Sequence, residues 1–169
     1  MIAKTPWLWR LGIIVGVLIL AHPIGAWADF QARVIAVHEG DRLTIRHDGR
    51  NEIVYLKDID CPSLKQPYGE QARHATAAYV GNREVMINML QRDREGRNTA
   101  NILLSDGRNI GRELVKEGLA WWQRTGSGDR RLAELEELAR ASGIGLWSEP
   151  HPIPPWKWKA AKKTGRYSN

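Results

Sequence analysis

Four short blocks between residues 39 and 97 decide the fold. They read Glu39-Gly40-Asp41-Arg42, Ile59-Asp60-Cys61-Pro62-Ser63, Gln66-Pro67-Tyr68-Gly69-Glu70-Gln71-Ala72 and Asp93-Arg94-Glu95-Gly96-Arg97. Asp41 falls in a turn and Asp60 at the end of a strand, one hairpin apart. Folding can therefore bring these two carboxylates together, and Gly96 allows the sharp turn that precedes Arg97.

Alternating apolar and polar residues predict strands around these blocks. Residues 31–60 form a predicted three-stranded meander that turns at 39–41 and 47–50, and its inward residues are Ala32, Val34, Ala36, Leu43, Ile45, Val54 and Leu56. Two further strands are predicted at 84–90 and 99–104, the second followed by the turn Ser105-Asp106-Gly107.

Helical periodicity predicts three helices. The first spans 69–80, ends at Gly81-Asn82, and has Ala72, Ala75, Ala78 and Tyr79 on one face. The second spans 108–117. The third runs from its cap Asp129 to Ser142, with Leu132, Leu135, Leu138 and Ala139 facing inward. These patterns by themselves indicate a small α+β domain.

The order and spacing of the blocks resemble the staphylococcal nuclease (thermonuclease) family over residues 31–158. Matching segments at 113–120 and 145–147 strengthen the resemblance. It implies an α+β fold, a five-stranded OB-fold-type β-barrel with about three α-helices. We predict this domain over 29–148, between a signal peptide at 1–28 and a Pro/Trp/Lys-rich C-terminal tail at 149–169, of which 165–169 is expected to be disordered.

The resemblance also implies a Ca²⁺-dependent phosphodiesterase acting on nucleic acid. Asp41, Asp60 and the backbone carbonyl of Cys61 match the family's metal ligands, and Arg97 matches its catalytic, phosphate-contacting arginine. Oxygen ligands suit Ca²⁺, and a planar guanidinium suits a phosphate. The alternatives are an ordinary turn aspartate at 41, a turn or cap aspartate at 60 and a surface arginine at 97.

Three departures from the family pattern predict weak or absent catalysis. Tyr55 stands where the family has a second phosphate-binding arginine, Ser63 replaces the glutamate that activates water, and Arg42 replaces a threonine. Loss of one preorganised charge typically costs ~10²–10³-fold in rate. Lys57 shares strand parity with Tyr55 and is a candidate substrate-binding cation. Candidate replacement acids, each by default a solvated surface charge, are Glu39, Glu70 and Glu95.

The N-terminal segment has the features of a signal peptide. Lys4 and Arg10 precede an apolar run at 11–20, and Ala26-Trp27-Ala28 is a small-x-small cleavage signal. We expect an exported protein, periplasmic or secreted, that begins at Asp29; an uncleaved anchor over 11–28 is the alternative. Cleavage would lower the formal charge from +6 to +4, a mildly basic value that is compatible with a polyanionic ligand.

The single cysteine and the tryptophans allow two interpretations each. Cys61 excludes an internal disulfide and is either a small buried residue or a thiol for intermolecular pairing. The segment 154–159, Pro-Pro-Trp-Lys-Trp-Lys, either stacks bases or sugars beside cations or folds back onto the domain.

Several functions and partners follow from these features. Beside a weakened nuclease, the sequence leaves open a non-catalytic module that binds nucleic acid, another polyanion or a protein, and more remotely a carbohydrate binder. We expect a monomer whose partners are single-stranded or duplex nucleic acid or a protein. A membrane would be contacted only through an uncleaved signal segment.

Overall fold

A closed five-stranded barrel forms the centre of the computed structural model, which describes residues 29–125 and 127–164. The strands are β1 (Phe30–Glu39), β2 (Arg42–His47), β3 (Arg50–Leu56), β4 (Ile59–Asp60), β5 (Glu84–Arg92), β6 (Asn98–Leu103) and β7 (Trp121–Trp122). The helices are α1 (Gly69–Val80), α2 (Ile110–Lys116), α3 (Arg130–Ala141) and α4 (Pro155–Lys163), with a short 3-10 helix at Gly145–Ser148.

Alternation within the strands places one apolar set inside the barrel. Val34, Leu43, Val54, Ile87 and Ile102 are fully buried there or nearly so. The strand order is β1-β2-β3-β6-β5, and β1 also pairs with β5. A short parallel pairing of β3 with β6, Tyr55 opposite Thr99, helps to close the barrel. The predicted five-stranded OB-type barrel is therefore confirmed.

The small β4–β7 sheet lies outside the barrel and joins two distant parts of the chain. Asp60 of β4 is opposite Trp121 of β7 in this antiparallel pair. The neighbouring backbone continues the connection, because the Gln123 amide donates a hydrogen bond of 2.9 Å to the Asp58 carbonyl. The two-residue strands thus hold the end of the 59–60 block against the segment that precedes α3.

Helix α1 has the predicted bounds, but its buried face is shifted. Its buried residues are Gly69, Ala72, Thr76 and Val80, whereas Ala78 is exposed. The face that the helix presents to the barrel follows a spacing of four residues, and Ala78 lies on the far side of it. The prediction that Ala78 shares a face with Ala72 was wrong, because Ala72 is buried and Ala78 is exposed.

Helix α3 shows a similar difference. Asp129 caps it as predicted, accepting a hydrogen bond from the Arg131 amide. Leu138 was predicted to face inward but is 60% exposed, and Glu136 is buried instead. The buried stripe runs through 132, 135, 136 and 139, and Leu138 lies beyond its edge.

The fourth helix occupies the region predicted as a tail. Pro155 stands in its first turn, where a missing N–H costs nothing. Trp156 packs edge-on against Trp121 at 5.7 Å between ring centroids, and Gln66 Nε2 donates to the Ile153 carbonyl at 2.8 Å. Segment 149–164 therefore folds back onto the barrel domain.

Predictions for both chain termini fall on residues outside the described ranges. These are the signal peptide at 1–28, its alternative as an anchor over 11–28, and the disordered end at 165–169. Among the residues that the structure describes, no helix has the length and apolar character needed to cross a membrane.

Candidate active-site cleft

A cleft of about 920 Å³ opens between one end of the barrel and the C-terminal helices. It is unusually rich in arginine and aromatic side chains. The cations are Arg92, Arg94, Arg97, Arg124 and Arg140, with Lys57, and the aromatic residues are Tyr55, Trp121, Trp122 and Trp156. Asp41 and Asp60 lie in its wall. The cleft therefore combines a buried acidic part with a cationic, aromatic part.

Asp41 and Asp60 form the acidic part, which we call the acidic pocket. Each residue is only 8% exposed. Asp41 Oδ2 accepts a hydrogen bond of 3.1 Å from the Cys61 amide, and the Asp41 carbonyl accepts one of 2.8 Å from the Leu56 amide. These bonds tie the 39–42 turn to the 59–61 block and to the end of β3, so the two predicted metal-ligand carboxylates are brought together.

Close packing beneath the 39–42 turn requires glycine. A Cβ added to Gly40 would lie 2.7 Å from the Ala72 Cβ and 2.8 Å from the Cys61 Sγ. The buried Thr76 hydroxyl donates to the Gly40 carbonyl at 2.6 Å. Helix α1 therefore supports the backbone that carries Asp41, which explains why the 66–72 block accompanies the 39–42 block in the sequence.

Burial controls the charge of the acidic pocket. Desolvation, with a further contribution from the Asp60 carboxylate, raises the pKa of Asp41 to about 7. Burial and the same two carboxylates raise the pKa of the Cys61 thiol well above its usual range. Cys61 is thus the small buried residue of the first interpretation. The mutual repulsion of the Asp41 and Asp60 carboxylates favours a cation beside them.

Helix α4 supplies such a cation. The Lys159 ammonium donates a hydrogen bond of 3.0 Å to Asp60 Oδ1, and the lysine side chain stays about half exposed. Burial alone would lower the pKa of Lys159, but the attraction and hydrogen bond of Asp60 outweigh it and raise that pKa. The sequence analysis did not single out Lys159; the only signal was its place in the basic, tryptophan-rich segment 154–159.

Arg97 lies in the cleft, but acidic residues hold it. Its Nε donates to Asp93 Oδ2 at 2.6 Å, and a second nitrogen is 3.5 Å from Glu95. The Asp93 carboxylate also accepts from the Arg97 amide at 2.8 Å, which fixes the turn around Gly96. Partial burial disfavours the charged guanidinium, yet the Asp93 interactions prevail and raise the pKa of Arg97.

Tyr55 fills the place next to Arg97 where the resemblance expects a second arginine. The Arg97 guanidinium carbon lies 4.9 Å from the centre of the Tyr55 ring, a cation–π contact. The phenol thereby positions Arg97 without adding positive charge. This part of the cleft therefore contains one guanidinium and one aromatic ring, where the resemblance predicts two cations.

The remaining sequence candidates occupy different places. Lys57 lines the cleft with its ammonium 3.2 Å from Asp58. Arg42 pairs with Glu39 at 3.5 Å. Ser63 belongs to the loop before α1, where its amide donates to Gln66 Oε1 at 3.2 Å.

Two of the three candidate replacement acids lie outside the residues that line the cleft. Glu39 pairs with Arg42, and Glu70 pairs with Arg73 in the first turn of α1. Glu95 does line the cleft, and its side chain is 66% exposed. Glu95 is consequently the one of these acids that faces the same space as Arg97.

A further charged group forms the opposite wall of the cleft. Glu136 of α3 is only 3% exposed and accepts hydrogen bonds from the Trp122 amide and from Arg124, both at 3.2 Å. Arg140 lies 3.4 Å from the same carboxylate and 3.8 Å above the Trp147 ring. We call Trp122, Arg124, Glu136 and Arg140 the cationic wall. Sequence analysis missed it because Glu136 has the appearance of a solvent-facing helix residue.

The donor set in the acidic pocket suits a hard divalent cation. Asp41 and Asp60 supply carboxylate oxygens, and the Lys159 ammonium shows that a cation is accommodated beside Asp60. Across 29–125 and 127–164, no group of three or more His, Cys, Asp or Glu side chains is arranged to hold a metal. Backbone carbonyl, water or phosphate oxygens would complete the shell of a bound Ca²⁺ ion.

Comparisons with known proteins identify the family. Residues 53–149 match the family of staphylococcal nuclease homologues. The chain is 33% identical over 167 residues to "Protein ParB" of Escherichia coli, with 93% of each chain covered. It is 32% identical over 163 residues to a protein of Shigella flexneri named "Micrococcal nuclease", covering 90% of this chain and 94% of that one.

A third relative, an "Uncharacterized endonuclease" of Escherichia coli O157:H7, is 33% identical over 135 residues, covering 80% of this chain and 88% of the relative. The fold, the motifs and these matches agree. The chain belongs to the staphylococcal nuclease family, a family of nucleases that act on nucleic acid.

Proposed function

We propose that this protein binds nucleic acid in the cleft and hydrolyses its phosphodiester bonds slowly or not at all. The contact between Arg97 and Tyr55 supports the proposal, because a neutral aromatic ring lies beside Arg97 where the resemblance predicts a second phosphate-binding arginine. The remaining cleft still offers arginines and exposed aromatic edges, which suit a phosphate backbone and its bases.

The chain's own groups have separable roles in this proposal. Arg97, oriented by Asp93 and Tyr55, donates to a phosphate oxygen, and Lys57 adds a second positive charge in the same space. The guanidinium of Arg124 and the Trp122 ring contact the neighbouring nucleotide. These contacts bind and position a strand without transferring a proton.

Calcium dependence is part of the proposal. Asp41 and Asp60, with the backbone carbonyl of Cys61, would hold the ion. When bound, it would polarise a phosphoryl oxygen and lower the pKa of a water molecule. The weak point is water activation, since Ser63 cannot serve as a base comparable to a carboxylate. Glu95 has a largely exposed side chain that already pairs with Arg97 at 3.5 Å, so it offers little compensation.

The test measures binding and cleavage on the same purified protein. Fluorescence anisotropy with a short labelled single strand reports binding in Ca²⁺ and in chelator, and gel analysis of the same samples reports cleavage. We expect binding in both conditions, weakened by Arg97→Gln but not by Arg33→Gln. Arg33 is the control because it pairs with Glu84 and does not line the cleft. Calcium-dependent turnover at the rate of a fully active nuclease, abolished by Asp41→Ala, would contradict the proposal.

The non-catalytic binding module is the second candidate, and Lys159 favours it. An ammonium that already pairs with Asp60 neutralises part of the charge that would attract a metal. Binding with no cleavage in Ca²⁺, Mg²⁺ or Mn²⁺ would select this candidate. Absence of nucleic-acid binding at low salt would overturn the nuclease candidate. It would leave a binding module for another polyanion or a protein, or more remotely a carbohydrate binder.

Export through a cleaved signal peptide completes the proposal. It is supported by the basic start, the short apolar run and the Ala26-Trp27-Ala28 signal. N-terminal sequencing of protein recovered from the periplasm or medium should return Asp29. Recovery of a chain that begins at Met1 would support the anchor instead.

A further inference from the structure

The C-terminal helix places its own cation at the carboxylate expected to hold a metal ion. Lys159 and Asp60 are 99 residues apart in sequence, yet their charged atoms are 3.0 Å apart. The hydrogen bond uses Oδ1 of a carboxylate that is only 12% exposed. Asp60 therefore has little remaining access to solvent while the lysine is in place.

Helix α4 is held in this position by contacts independent of Lys159. Trp156 packs edge-on against Trp121, which pairs with Asp60 across the β4–β7 sheet. Just before the helix, the Ile153 carbonyl accepts a hydrogen bond from the buried Gln66. The ammonium is consequently delivered by a docked helix rather than by a freely moving tail.

A divalent ion and the ammonium need the same negative charge. Lys159 also lowers the pKa of Asp41, although Asp60 and burial act on that group more strongly. The lysine thus acts on both carboxylates of the acidic pocket. A divalent cation held by Asp60 would share that carboxylate with the Lys159 ammonium, and the two like charges would repel each other.

We propose that Lys159 and a divalent cation compete for Asp60, so that helix α4 withdraws its lysine when the ion binds. The inference rests on the proposed assignment of Asp41 and Asp60 as the cation ligands. It adds a regulatory contact to that site: the docked helix lowers the affinity for the ion, and the ion in turn loosens the helix.

Calorimetric titration with Ca²⁺ tests the competition directly. We expect K159Q to bind Ca²⁺ roughly 10-fold more tightly than the wild type, within the usual range for coupled sites. K157Q is the matched control, because Lys157 is exposed on the same helix and its loss changes the net charge equally. Adding D60N to K159Q should remove the gain.

A second measurement separates competition from a general loss of positive charge. If ion and lysine exclude each other, Ca²⁺ should change the tryptophan fluorescence of the wild type and increase proteolysis at 155–163. In K159Q both responses to Ca²⁺ should be much smaller, because no ammonium has to leave. Thermal unfolding followed by circular dichroism verifies that each variant is folded.

Three results would overturn the inference. They are equal Ca²⁺ affinities for K159Q, K157Q and wild type, an α4 response to Ca²⁺ that persists undiminished in K159Q, and lack of Ca²⁺ binding by every variant. Nucleic-acid binding by the same proteins in chelator decides the proposed function separately. A protein that binds a single strand but no Ca²⁺ would refute the competition and leave the binding module standing.

Discussion

The two sides of the cleft are built on different principles. The acidic pocket consists of two carboxylates from neighbouring blocks, buried and fixed by backbone hydrogen bonds. The cationic wall uses side chains from β7, the following loop and α3, most of them exposed, around one buried carboxylate. The first arrangement favours a small cation and the second a flexible polyanion. We therefore expect that affinity for nucleic acid and metal-dependent cleavage can be changed separately.

Restoring the expected charges should produce the largest effect. Tyr55→Arg combined with Ser63→Glu supplies a second phosphate-binding cation and a carboxylate for water. We expect Ca²⁺-dependent cleavage to rise by ~10²–10³-fold, since each charge acts on the transition state. A fluorogenic oligonucleotide assay measures the rate.

Each single variant is the control for that double variant, and neither alone should restore the rate. Arg42→Thr and K159Q can be added, because both remove positive charge near the carboxylates. If the variant with all four changes binds Ca²⁺ and a single strand yet stays inert, the position of Ser63 is wrong for water activation, and the chain is a binding module.

A methyl group added at the start of α1 should destabilise the fold by colliding with the loop that precedes this helix. A Cβ at Gly69 would lie 2.0 Å from the Ser63 carbonyl oxygen, a backbone atom that cannot rotate away. We expect Gly69→Ala to lower the free energy of unfolding by about 3 kcal/mol. Urea denaturation measures the change.

Gly128→Ala is the matched control, since a Cβ there meets nothing within 4 Å. It should leave the unfolding free energy nearly unchanged. A similar loss in both variants would mean that the 63–69 loop does not constrain the fold as its close contacts indicate.

Removing one buried hydroxyl should weaken the support under Asp41 by a smaller amount. Thr76→Val keeps the shape but deletes the donor to the Gly40 and Ala72 carbonyls, at 2.6 and 3.0 Å. Leaving the Gly40 carbonyl without its buried donor should cost about 1–2 kcal/mol. Thr99→Val is the comparison, because its hydroxyl makes a longer bond of 3.4 Å at a more exposed site. Equal destabilisation would show that the hydroxyl does not anchor the turn.

The smallest effect is expected for a change in the cationic wall. Arg124→Gln should make the negative slope of log K against log salt for a single strand shallower by about 0.7, the value for one phosphate contact. Anisotropy titrations at several salt concentrations measure it, with Arg33→Gln as the control. Because Arg124 touches Glu136 rather than the acidic pocket, Ca²⁺ affinity should not change. A shift in Ca²⁺ affinity would show that the two sides are coupled.

Local patterns predicted most of the fold correctly because the relevant interactions are close in sequence. The bounds of α1 follow from periodicity and from the stop at Gly81-Asn82, where Asn82 adopts a positive φ of 56°. The Asp129 cap was likewise predictable, since the hydrogen bond that its side chain accepts comes from an amide only two residues along the chain. The inward-facing positions were less predictable. In α3 the apolar Leu138 is exposed and the charged Glu136 is buried, because the shape of the core, and not polarity alone, sets the buried face of the helix.

Strand alternation, helix periodicity and turn chemistry are local properties, so the residue pattern predicted the strands, the helices and the turns that carry the two carboxylates. The family and the barrel were predicted from the order and spacing of the motif blocks, which resemble those of the staphylococcal nuclease family. Tertiary structure alone decided what surrounds those carboxylates. Lys159 reaches Asp60 across 99 residues, and Glu136 gathers Arg124 and Arg140 into one wall of the cleft. Such contacts depend on how α3 and α4 dock against β7. Docking depends on packing between distant surfaces, which the sequence motifs do not encode.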